Sequence, residues 1–139
     1  MKLREFKSAT ITFDSESVLL VRFKNDVYVD VEEAKKLVVA SLEMVSGKSF
    51  YLLVDARDIL SSIDHESRKY IADHKEYNDL NVAQSIIVNN MPIRLLAQFY
   101  YKVYQHKNPV KIFSTMEEGK KWLLSHSLPG VNSSKELSL

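Results

Sequence analysis

The stretch FYLLVD, residues 50–55, is an unbroken apolar run ended by an acid. Alternate side chains of a strand point to opposite faces, so such a run suits a strand covered on both sides. VAQSIIV at 82–88 has the same character, polar only at Gln84 and Ser85, and VKIF at 110–113 forms a short later strand. The intervals between these strands carry helical spacing. Asp64 is placed to cap a helix over 64–78, with a stripe of Ser67, Tyr70, Ile71, His74 and Tyr77. Asn89 or Asn90 starts a helix reaching about 105, with Pro92 tolerated in its first turn and Asn108–Pro109 breaking it.

Upstream, ATITFD at 9–14 alternates threonines with Ile11 and Phe13, and VLLVRFK at 18–24 follows a polar turn, so the two read as an antiparallel hairpin. VYV at 27–29 adds a brief extended segment. Asp30 with Glu33 approximates a capping box for a helix over 31–46, with stripe Ala34, Leu37, Val38, Ser41, Leu42 and Val45, and Gly47 sits at its C-terminal cap. Downstream, Ser114 and Thr115, each with a glutamate three residues on, start a last helix to about 126. The predicted fold class is α/β, with order ββαβαβαβα. The hairpin and the parallel strands form a mixed five-stranded sheet with four helices and right-handed crossovers. One domain spans 1–127, and 128–139, rich in serine with Pro129 and Gly130, reads as a flexible tail.

Nineteen Lys and Arg against eighteen Asp and Glu leave a net charge of +1, so no blanket basic surface calls for nucleic acid or an anionic membrane. The Lys pairs at 35–36 and 120–121 are preceded by glutamates at helical spacing, as on a solvated helix face. With no cysteine there are no disulfides, thiolate metal sites or cysteine nucleophiles. No secretory signal or membrane-spanning run is read, so a cytoplasmic location is expected. His65, His74, His106 and His126 lack the spacing of a metal site; His74 reads as a hydrogen-bonded core residue. No phosphate-cradling loop, nucleophile elbow or ordered triad is present, so no enzyme, metal or cofactor is expected.

This order of elements, with FYLLVDAR at the third strand and VKIFSTMEEGKKWL at the end, resembles the STAS-like domains and within them the SpoIIAA-like subgroup of bacterial proteins, over about residues 9–126. The resemblance implies a non-enzymatic, regulatory domain that works by binding proteins. In the anti-sigma-factor antagonists among such domains, a serine opening the helix after the third strand is phosphorylated by a partner kinase. Here the corresponding stretch reads Asp64, His65, Glu66, Ser67, with Ser61 and Ser62 upstream and Ser67 one turn in, so the switch is expected to be lost. The resemblance leads to a small residue, commonly Ala, at the position of Gly119. Small lipid-carrying domains of similar order keep an apolar ligand open.

Two candidate sites follow. Ligands of open α/β sheets gather beyond the carboxyl ends of parallel strands. There the sequence assembles Asp55, Arg57 and Asp58; Asn89, Asn90 and Arg94; and Ser114 with Thr115. These could hold a small anion, or serve as caps and ion pairs, Arg57 with Asp55 or Asp58. The helix after 89 supplies the second site. Arg94, Gln98, Lys102 and Gln105 form a narrow polar stripe, and Leu95, Leu96, Phe99, Tyr100 and Val103 a core face. Ile93, Ala97, Tyr101 and Tyr104 are left on the flanks. That apolar arc exceeds what one sheet face needs. With Tyr100 it is a candidate interface, to a second copy or another regulatory protein, or the lining of an apolar pocket.

Overall fold

The computed structural model describes residues 3–57, 63–92, 94, 95, 98 and 108–128. One sheet of six strands runs through it in chain order: β1 (Leu3–Glu5), β2 (Ala9–Ser15), β3 (Val18–Phe23), β4 (Phe50–Asp55), β5 (Asn81–Ile87) and β6 (Val110–Phe113). β1, β2 and β3 pair antiparallel, and β3 through β6 are parallel neighbours. The helices bounded within the described residues are α1 (Val31–Val45), α2 (His65–Asp73), α3 (Lys75–Leu80) and α4 (Met116–Leu124). Residues 91, 92, 94, 95 and 98 are helical as well.

The expected mixed sheet stands, with two corrections. The sheet has six strands rather than five, because Leu3–Glu5 adds an edge strand to the hairpin. Its three residues carry no apolar alternation; ion pairs hold it, Arg4 to Glu43 of α1 at 2.6 Å and Glu5 to Lys24 at 2.7 Å. The helix predicted over 64–78 is two helices, broken at His74. That residue is extended (φ −74°, ψ 110°), and its Nδ1 accepts from Tyr77 N–H at 3.2 Å, so it caps α3 instead of continuing α2. Its hydrogen-bonded role was legible; the break was not, because the apolar spacing runs on through it.

β4 is buried at every position, as the run FYLLVD requires. Leu52 and Val54 join Ile11, Leu19, Val21 and Ile86 in a core under Leu37, Val38 and Val45 of α1 and Tyr77 of α3. Tyr51 and Leu53 point the other way, with Val18, Leu20, Ala83 and Ile87, against Leu123 and Trp122 of α4. α4 lies very close to the sheet. A Cβ added at Gly119 would stand 2.6 Å from Ile87 Cδ1 and 3.2 Å from Ser85 Cβ, and Ser85 Oγ donates to the Gly119 carbonyl at 2.8 Å. Gly119 is thus a contact residue; an alanine at this position does not fit without a shift of Ile87. The Tyr51 hydroxyl donates to the His126 carbonyl, and Leu128, assigned to the tail by composition, is buried in this core. The rest of that tail lies outside the described residues.

Candidate functional site

The parallel register puts Arg22 beside Asp55, Asp55 beside Ile87, and Ile87 beside Phe113, so the strands finish in one row. Ala56 N–H donates to Ile87 O at 3.0 Å and Val88 N–H to Phe113 O at 2.9 Å, which carries the pairing past the strand ends. Two polar sets form there. Buried Asp55 receives Arg57 Nε on Oδ1 at 2.8 Å, Arg57 Nη2 on Oδ2 at 2.7 Å and Arg22 Nε on Oδ2 at 3.0 Å. Burial opposes ionisation of Asp55, but the hydrogen bonds from Arg57 and then Arg22 outweigh it and hold the carboxyl below its ordinary value. In the second set Arg94 Nη1 donates to Ser114 Oγ at 2.8 Å and Nη2 to Ile112 O at 3.4 Å, while Asn90 O accepts from Arg94 N–H.

Asp55 and Arg57 therefore meet as an ion pair, and Arg94 meets Ser114, while Asn89 and Asn90 are exposed. Asp58 lies outside the described residues. Arg22 was missed: nothing within VLLVRFK says that its arginine will stand opposite Asp55. Ser114 is not the helix cap that its spacing suggested. Thr115 caps α4, its Oγ1 accepting from Glu118 N–H at 3.2 Å, and Ser114 instead accepts from Arg94.

At the start of α2, Asp64 accepts from Ser67 N–H at 2.8 Å and from the Tyr28 hydroxyl at 2.7 Å. Hydrogen bonds from Ser67 and then Tyr28 hold this carboxyl below its ordinary value. Ser67 is fully buried, and its Oγ donates to Val29 O at 3.0 Å. Val29 also bridges Ile63 and accepts from Asp64 N–H, so the serine is a clasp between α2 and the extended segment before α1. Ser61 and Ser62 lie outside the described residues.

The flank residues Ile93, Ala97, Tyr101 and Tyr104, and Tyr100 of the core face, lie outside the described residues. Leu95, expected in the core face, is 59% exposed, and Met91 one turn before it is 64% exposed. Arg94 leans toward β6, and positions four apart share a helix face, so Met91 and Leu95 are carried outward together. An apolar cavity of about 90 Å³ occurs elsewhere, under α1, α2 and α3. Among the described residues no cluster of three or more His, Asp or Glu is placed to hold a metal ion, and no helix is long and apolar enough to cross a membrane.

Parallel strands in chain order behind an antiparallel edge, with helices on both faces, define a SpoIIAA-like fold. The same architecture occurs in the crystal structure of an uncharacterized protein of the DUF3478 family with a SpoIIAA-like fold from Shewanella loihica PV-4. It superposes with a TM-score of 0.64 at 9% identity, covering 86% of this chain and 97% of that one. The chain belongs to the family described as a domain of unknown function, DUF7793, whose model matches residues 11–127. No curated protein matches it in sequence.

Proposed function

We propose that this chain is a non-enzymatic regulatory module that acts by protein contact, and that its partner is a second copy of itself. The observation that carries the reading is the outward apolar pair Met91 and Leu95 on the helical segment after β5. Large apolar side chains clustered on one helix face are characteristic of contact surfaces. The net charge of +1 sets little electrostatic repulsion against pairing of identical chains. The burial of Ser67 favours a constitutive contact, one not switched by phosphate at that serine. Sedimentation of the wild type and of Met91→Ser/Leu95→Ser tests the proposal. A wild-type dimer that the double variant converts to monomer supports it; a monomeric wild type, or an unchanged mass, refutes it. The alternative is a small-molecule or lipid carrier with an apolar pocket near the helix after β5; the apolar cavity under α1, α2 and α3, at about 90 Å³, accommodates roughly six to nine water-sized groups and so lends no support to a whole lipid.

A further inference from the structure

The arginines of the chain divide by what they meet. Arg4 reaches Glu43, Arg22 and Arg57 reach Asp55, and Arg68 acts on Asp64, so each of these is matched to a carboxylate. Arg94 is not. Among the described residues its guanidinium contacts Ser114 Oγ at 2.8 Å and Ile112 O at 3.4 Å, and both oxygens are neutral. The serine is distinctive as well. Ser8, Ser41, Ser67 and Ser85 are buried, and the hydroxyls of Ser46 and Ser125 donate to carbonyls of the helices they end. Ser114 is exposed, in the short link between β6 and α4, and its oxygen accepts from a cation. A half-buried guanidinium thus rests on an accessible hydroxyl and has no described counter-charge. The position differs from that of the serine to which the resemblance leads, which is the buried Ser67.

We propose that Ser114 is a phosphorylation site, its phosphate held by Arg94 so that the helical segment after β5 is tied to the link between β6 and α4. The co-reactant is a nucleoside triphosphate brought by a protein kinase. Ser114 Oγ attacks the terminal phosphorus, and the new P–O bond forms as the bond to the bridging oxygen breaks. The hydroxyl proton passes to the kinase's base, and the nucleoside diphosphate leaves. The modified group carries ~1.5–2 negative charges and three acceptor oxygens. The planar fork of a guanidinium takes two such oxygens at once, so a bidentate pair of opposite charges replaces a single bond to a hydroxyl. The acids that follow in the chain, Glu117 and Glu118, are exposed and screened by water and salt, and Glu118 is engaged by the Thr115 hydroxyl. The phosphate strengthens a contact that already stands instead of undoing one. It is therefore compatible with a constitutive contact through Met91 and Leu95 and does not depend on it.

The test uses the full chain with phosphoserine encoded at position 114, beside the unmodified chain. The phosphate is expected to raise the midpoint of thermal unfolding by about 3 °C or more, and Arg94→Gln is expected to remove that gain. A smaller gain, or one kept in Arg94→Gln, overturns the proposal. A second measurement needs no variant. The second ionisation of the phosphate is followed by phosphorus NMR in the folded chain and in a phosphorylated peptide of residues 110–118, which carries the same two glutamates. A midpoint in the chain about 0.5 pH unit or more below that of the peptide supports a phosphate gripped by the guanidinium, and any closer or higher value refutes it. Mass spectrometry of the chain taken from the cells that make it then locates the modification. Phosphate on Ser114 supports the site; phosphate confined to other residues, or none in growing and starved cells alike, refutes it. Sedimentation reads the contact proposal separately, so either can fail alone.

Discussion

Ser67 offers the sharpest perturbation, because two substitutions there separate a structural clasp from a regulatory switch. In Ser67→Ala the hydrogen bond to Val29 O is lost, but Val29 O still accepts from Asp64 N–H, so no carbonyl is stranded. The expected loss is about 1 kcal/mol, the net worth of one neutral hydrogen bond. Ser67→Asp, the usual mimic of a phosphoserine, forces a carboxylate into a fully buried site beside the Asp64 carboxylate and facing the Val29 carbonyl. Desolvating an ion costs several kcal/mol, and the favourable place in the first turn of α2 returns only about 0.3–1 kcal/mol. A net loss of about 3 kcal/mol or more follows, against a total stability of ~5–15 kcal/mol for a typical domain. Urea unfolding reads both. With a slope of ~1–3 kcal/mol per molar, Ser67→Ala lowers the midpoint by about 0.5 M and Ser67→Asp by about 1.5 M or more. If Ser67→Asp unfolds within about 0.5 M of the wild type, the serine is accessible to charge and the argument for an unswitched domain fails.

Three further outcomes are expected. Gly119→Ala gains about 1 kcal/mol in helix propensity but places a methyl 2.6 Å from Ile87 Cδ1, and overpacking of about 1–3 kcal/mol leaves the variant between neutral and about 2 kcal/mol less stable. Adding Ile87→Val removes that atom, so thermal unfolding of the double variant should show a smaller loss than the two single losses summed. Asp55 is held below its ordinary carboxyl value, so its contribution is complete above the unfolded value of about 3.9 and disappears as pH falls through the folded one. The stability gap between wild type and Asp55→Asn should be constant near neutrality and close in acid; a gap unchanged on acidification, followed by urea unfolding, would count against the Arg57 and Arg22 pairing. Burial pushes the Tyr77 hydroxyl far above the ordinary tyrosine value, so in an alkaline titration followed by tyrosinate absorbance the change seen for Tyr77→Phe should match the wild type until the chain unfolds.

What the amino acids disclosed divides along a physical line. Elements whose signal is local were legible: the continuous burial of 50–55, the Asp30 and Asp64 caps and the limits of 110–113 depend on neighbours in the chain. Features set by contact between distant segments were not. Leu3–Glu5 is a strand because β2 and two ion pairs receive it; Arg22 is matched to Asp55 by parallel register; and the outward turn of Leu95 follows from Arg94 reaching β6. The candidate site was half visible for the same reason. The pairing of Asp55 with Arg57, two residues apart, is local, whereas Ser67 with Val29 joins separate stretches of chain.

The order of the sheet bears on how the chain comes to be folded at all. Each strand lies next to the one made just before it, and none is inserted between two earlier ones. A polypeptide leaving the ribosome would find every docking edge already exposed when the next strand emerges, so assembly can proceed as steady accretion from the first residues to the last. Loop closures along that route are limited to single crossovers, which spares the nascent chain the slow search that interleaved sheets impose.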